Sequence, residues 1–143
     1  MIPAIVVDDV LADRYIVRRR LTKSGLFCPV GEAQDGTTFL DTYLPQPGLS
    51  TLPEGDAPCL LLVDINMPGL NGFEMIEEMG RRLREVAHPD PLVVMMFTSS
   101  DNPSDKARAA QQPLICRYFV KPMTDAAVMQ ILEDYAARGY QHS

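Results

Sequence analysis

Three stretches of this chain are apolar without interruption: residues 3–7 (PAIVV), 59–63 (CLLLV) and 92–97 (LVVMMF). A strand with one wet face alternates polar and apolar residues, whereas an unbroken run suits a strand covered on both faces. The runs are far shorter than the roughly 20 residues of a membrane-spanning helix. Residues 27–30 and 118–120 are weaker strand candidates.

Helical stretches lie between these runs. Residues 11–24 place Ile16, Val17 and Leu21 on one side, with Gly25 as a stop. Residues 37–44 carry Phe39, Leu40, Tyr43 and Leu44 at helical spacing, and residues 72–86 carry the stripe Phe73, Ile76, Met79 and Leu83. Residues 104–112 start at a capping Ser104 and stop at Pro113. Thr124 caps a last helix through Ala137, with Val128, Ile131, Leu132 and Tyr135 inward and Gly139 as terminator.

Strand and helix thus alternate five times. Such alternation predicts an α/β fold with a doubly wound parallel sheet and right-handed crossovers. The 143 residues suit one domain, residues 1–143. The segment 45–58 (PQPGLSTLPEGDAP) is too rich in proline to be regular and reads as a loop between the second helix and third strand. A composition 46% hydrophobic and 22% charged excludes a disordered chain. A net charge of −6 argues against nucleic acid or an anionic membrane as the main partner.

The N-terminus has no basic region and meets Asp8 and Asp9 at once, unlike a secretory signal. Cys28, Cys59 and Cys116 form an odd, scattered set beside apolar stretches and read as buried reduced thiols. Together these features point to the cytoplasm. His88, in an HPDP loop, and His142, in the tail, read as surface residues.

The chemistry collects where the apolar strands end. The first ends in Asp8-Asp9, the third in Asp64, the fourth in Thr98-Ser99-Ser100 and the fifth in Lys121. In an open parallel sheet, ligands bind beyond the carboxyl ends of the strands. Three crowded carboxylates repel, since two unit charges 4 Å apart cost about 4 kcal/mol at an effective dielectric near 20. A lysine supplies one compensating charge. A hard divalent cation supplies two, and carboxylate, carbonyl and water oxygens suit Mg²⁺. For Asp8 or Asp9 taken alone, a solvated helix cap is the alternative reading.

These residues carry a resemblance. IVVDD, LLLVDINMPGLNG with its Asp-x-x-Met-Pro-x-x-x-Gly pattern, VVMMFTSS and YFVKP, in that order, resemble the receiver domain of two-component response regulators over about residues 2–138. EAQDG after the second strand resembles a common receiver stretch. The resemblance implies a flavodoxin-like (βα)5 fold with strand order 2-1-3-4-5. It makes Asp64 the phosphoacceptor, Asp8 and Asp9 the Mg²⁺-binding pair, and the Asn66 backbone carbonyl a further ligand of the metal. Thr98 becomes the switch hydroxyl, Lys121 the phosphate-binding lysine and Tyr118 the switch aromatic, which could otherwise be a half-buried strand residue. Lys121-Pro122 is expected to be cis.

The partners implied are a sensor histidine kinase or histidine phosphotransferase as donor and a protein target for the surface of the fourth helix, fifth strand and fifth helix. Asn66 and Ser100 occupy positions that in the family tune phosphate loss. Pro113 should shorten the fourth helix, and Gly72 should allow close packing at the third. The chain ends soon after its last helix, so the expectation is a stand-alone regulator, monomeric or weakly dimeric. It would be a phosphoacceptor that loses its phosphate by itself, not an enzyme.

The competing reading is a module of the same fold that binds partners without phosphorylation. The intact set Asp8, Asp9, Asp64, Thr98 and Lys121 argues against it. A phosphohydrolase would carry a second Asp where Asn66 stands. A flavin binder would not place the acidic DDVLAD beside a phosphate.

Overall fold

The structure is a computed structural model and describes residues 1–53, 57–87 and 91–139. Its elements run β1 (Ile2–Val7), α1 (Leu11–Lys23), β2 (Phe27–Ala33), α2 (Gly36–Tyr43), β3 (Cys59–Val63), α3 (Gly72–Leu83), β4 (Leu92–Thr98), α4 (Pro103–Gln111), β5 (Ile115–Val120) and α5 (Asp125–Gly139). The strands form one parallel sheet in the order β2-β1-β3-β4-β5. This is the doubly wound, flavodoxin-like arrangement expected.

The unbroken apolar runs follow from that order. Successive strand residues point to opposite faces, so each central strand feeds two cores. Ile5, Val7, Leu61, Val63, Val94 and Met96 pack with Phe39, Leu40, Met75, Ile76 and Met79 under α2 and α3. Ala4, Val6, Leu60, Leu62, Val93, Met95 and Phe97 pack with Val17 and Leu21 of α1 and Val128, Ile131 and Tyr135 of α5. Full burial of each large apolar side chain stabilises by roughly 1.5–3 kcal/mol. Edge strands are paired on one side only, and β2 and β5 are accordingly half-exposed. That is why apolar runs marked only parts of them: β2 continues through Gly31 and Glu32 to Ala33, and β5 begins at Ile115.

Local chemistry corrects several boundaries. Asn102, not Ser104, caps α4: its Oδ1 accepts the Ser104 N–H at 2.9 Å, with Pro103 in the first turn. α4 stops before Pro113 as expected. α3 ends at Leu83 rather than residue 86, because Glu85 N–H and Val86 N–H bond three residues back, to Arg82 and Leu83, in a tightened turn. Thr124 does cap α5, through Ala127 N–H at 3.0 Å. α5 runs on past Ala137 and has Gly139 as its last residue.

Ile16 is exposed, and only Val17 and Leu21 of the expected trio face inward. Among the thiols, Cys59 is buried, Cys116 half-buried and Cys28 exposed, because Cys28 lies on the edge strand. The described part of 45–58 is irregular, yet Leu52 is buried in the core and Thr51 N–H bonds Tyr43 carbonyl at 2.8 Å. His88 and His142 lie outside the described residues. Among the described residues, no helix is long and apolar enough to cross a membrane. Lys121-Pro122 is cis as expected, and so is Cys28-Pro29.

Candidate functional site

Asp8, Asp64 and Lys121 are each the first residue beyond a strand, and the sheet's own hydrogen bonding continues far enough to place them. Asp8 N–H donates to Ala33 carbonyl (3.1 Å), Asp64 N–H to Val7 carbonyl (2.9 Å) and Lys121 N–H to Thr98 carbonyl (2.8 Å). The chain turns at Val7 toward one side of the sheet and returns on the other, so the reversal of strand order falls between β1 and β3, where the acidic groups meet.

Asp8 and Asp64 are buried and Asp9 is exposed, and carboxylate oxygens of the three lie within 4.8 Å of one another. Asp8 Oδ1 accepts the Val10 N–H at 2.9 Å, and Asp64 Oδ1 accepts the Ile65 N–H at 2.8 Å. Neither Asp8 nor Asp9 caps α1: its N-cap is Val10, with no side-chain cap bond. The second oxygens of Asp8 and Asp64 accept from the Lys121 ammonium at 2.6 and 3.2 Å. The fourth expected strand-end group, Thr98, is fully buried, and its Oγ1 accepts the Ser100 N–H at 3.3 Å.

Burial raises the pKa of Asp8, with hydrogen bonds from Lys121 and Val10 opposing it and the Asp64 charge adding to it. For Lys121, burial acts to lower the pKa, but hydrogen bonds to Asp13 and Asp8 and the charges of Asp64 and Asp8 outweigh it and the pKa rises. Together the groups hold a proton firmly on the amine, because one cation there serves several carboxylates.

Ser100 joins the two expected switch residues. Its N–H bonds Thr98, and its carbonyl accepts the Tyr118 O–H at 2.8 Å. Its Oγ donates to Asp105 of α4 at 2.6 Å. Tyr118 is half-buried on β5. Asn66 is exposed in the loop after Asp64. That loop closes against α3 through Gly72 N–H to Ile65 carbonyl at 2.8 Å, and Asn71 and Glu74 form a reciprocal capping box there.

Two residues of the site were missed in the sequence. Asp13 Oδ2 accepts from Lys121 at 2.7 Å. Arg14 donates through its guanidinium to the Asp8 carbonyl at 2.6 Å and to Glu32 at 3.3 Å. The available signal was spacing: a helix beginning at Leu11, directly after the acidic pair, carries positions 13 and 14 on its first turn, beside the strand ends.

The donor set fits a hard divalent cation. All three grouped side chains are carboxylates, the hard oxygen donors that suit Mg²⁺, and their oxygens lie within 4.8 Å of one another. Asp8, Asp9 and Asp64 would hold it.

Residues 4–133 match the family model of the response regulator receiver domain. The chain is similar to the DNA-binding transcriptional regulator NtrC of Klebsiella pneumoniae, with 33% identity over 95% of this chain and 25% of that protein. It thus spans about a quarter of that relative's length. It is also similar to the chemotaxis protein CheY homolog of Campylobacter jejuni, with 27% identity over 94% of this chain and 92% of the relative. Among solved structures, the bacteriophytochrome response regulator AtBRR superposes with a TM-score of 0.70 at 27% identity, covering 95% of this chain and 93% of that one.

Proposed function

The chain belongs to the response regulator receiver family, and from that premise and the strand-end pocket we propose that it accepts a phosphoryl group on Asp64. The observation that carries this reading is the Asp64 carboxylate itself. It is buried at the end of β3, 3.2 Å from an ammonium and grouped with two further carboxylates.

A carboxylate is a competent, weak nucleophile toward phosphorus. An Asp64 oxygen forms the new P–O bond while the P–N bond of a phosphohistidine on the donor protein breaks and the imidazole leaves. The protein's task is to hold the acceptor in line and to neutralise charge on the transferring oxygens. Lys121 supplies a positive charge at the acceptor, and the Thr98 hydroxyl lies at the end of the neighbouring strand. When bound by Asp8, Asp9, Asp64 and the Asn66 carbonyl, Mg²⁺ supplies the larger share of that neutralisation.

The donor class is a sensor histidine kinase or a histidine phosphotransferase, and the product is read by a protein target. Thr98, Ser100 and Tyr118 form a continuous hydrogen-bonded route from the pocket to β5 and α4, which supports the α4-β5-α5 surface as the one that changes. In this reading the protein is a cytoplasmic signalling acceptor, monomeric or weakly dimeric, rather than an enzyme. It sheds its phosphate by hydrolysis.

Acetyl phosphate with Mg²⁺ should label the protein in an acid-labile form, and Asp64→Asn should lose the label. Label persisting on Asp64→Asn would move the acceptor elsewhere. No label on the unaltered protein, with full binding of its partners, would favour a module that works without phosphorylation.

A further inference from the structure

Lys121 has three ammonium hydrogens and no acceptor capacity, and the structure commits all three to carboxylates. The distances are unequal: 2.6 Å to Asp8, 2.7 Å to Asp13 and 3.2 Å to Asp64. The ammonium therefore sits toward the α1 side of the pocket, held there by two close partners, and reaches the proposed acceptor only at the longest of the three contacts.

The two close partners differ in their surroundings. The Asp8 side chain is 2% exposed and the Asp13 side chain 33%. Asp8 is tied to the backbone at Val10 and belongs to the grouped carboxylates that suit a cation. Asp13 stands outside that group, on the first turn of α1. A phosphoryl group on Asp64 brings anionic oxygens that need the ammonium. The partner most readily given up is the solvent-facing one, because water can replace the lost hydrogen bond to it.

We propose that Asp13 is a positioning residue that competes with the phosphoryl group for Lys121. Asp13 keeps the ammonium at no closer than its long contact with Asp64 at rest and must release it for the phosphorylated state to form. This rests on Asp64 being the acceptor. It predicts a pocket whose hold on phosphate is weakened by one of its own side chains.

The probe is beryllofluoride, an aspartyl-phosphate mimic, titrated at saturating Mg²⁺ and followed by the backbone amide signals of Thr98 and Tyr118. Asp13→Asn should tighten mimic binding at least about threefold, and the same change in a Lys121→Ala background should give no such gain. An equal gain in both backgrounds would reflect loss of bulk negative charge alone and would overturn the proposal. So would no gain in the first background.

A second measurement needs no phosphate chemistry. In the metal-free protein the Lys121 ammonium hydrogens should exchange with water several-fold faster in Asp13→Asn than in the unaltered chain. Unchanged exchange overturns the proposal even if the double variant does not fold. Failure of the acceptor reading has a separate signature, beryllofluoride binding to Asp64→Asn as well as to the unaltered chain.

Discussion

A β-carbon placed on Gly72 would lie 2.3 Å from the carbonyl oxygen of Asp64, closer than any side chain tolerates. The start of α3 is therefore pressed against the backbone of the residue that follows β3, the close packing expected of Gly72. The contact clamps the loop that begins at Asp64 from behind. Gly72→Ala should cost about 1–3 kcal/mol in chemical denaturation, the range for overpacking a close contact. Because the atom displaced is Asp64's own backbone, Mg²⁺ affinity should fall as well. A variant with unchanged stability and unchanged Mg²⁺ binding would show that the loop yields freely.

The grouped carboxylates should make the fold responsive to divalent cations. Binding to the folded chain alone stabilises it by about 2.7 kcal/mol when Mg²⁺ exceeds its dissociation constant a hundredfold. The thermal midpoint should rise on adding Mg²⁺ and return on chelation with EDTA. Asp8→Asn and Asp64→Asn should each reduce the rise, since both belong to the group within 4.8 Å. A midpoint indifferent to Mg²⁺ in the unaltered protein would remove the cation from the proposed function.

Acid dependence should come partly from α3. Glu78 accepts hydrogen bonds from Arg81 and Arg82, which pull its pKa from 4.5 down to about 2. A carboxyl depressed by folding stabilises above its unfolded value, and that contribution disappears as pH falls through the folded value. The gap in stability between the unaltered chain and Glu78→Gln should be full at pH 6 and close between about 4.5 and 2. The three groups are solvent-screened, so the gap should be small. Urea midpoints across that range check it, and a gap that widened on acidification would contradict it.

The three thiols should separate by reactivity. Cys59 is buried in the core under α2 and α3, and burial pushes its pKa up to about 12. Cys28 is exposed on the edge strand, and Cys116 is half-buried with its pKa raised chiefly by burial. The thiolate is the reacting species, so a thiol reagent at pH 8 should modify Cys28 first and Cys59 only on unfolding. Peptide mapping after a short pulse distinguishes them. Rapid labelling of Cys59 would mean that β3 opens locally.

Much of the site was legible in the chain itself. Asp8, Asp9, Asp64, Thr98 and Lys121 were marked by their place at the ends of strands, and a parallel sheet gathers strand ends along one edge. What escaped was on the helices and edges. Asp13 looked like an ordinary acidic residue in a first helical turn, and only the approach of Lys121 sets it apart. Ile16 sat at a plausible inward spacing but faces solvent, because the inward stripe of α1 is narrow. Cys28 looked apolar in context and is exposed because, among the described residues, β2 is an edge strand.

The alternation of strand and helix, the double burial of the central strands and the identity of the residues that end them are all written in the order of amino acids. Each depends on local periodicity and on residues near one another in the chain. Which of those ends meet is a matter of packing. Lys121 reaches Asp8 across 113 positions and Asp13 across 108. Such partners are chosen by strand order and by the approach of α1 to the sheet edge. No local pattern encodes a distance between side chains that only the packing of separate elements brings together.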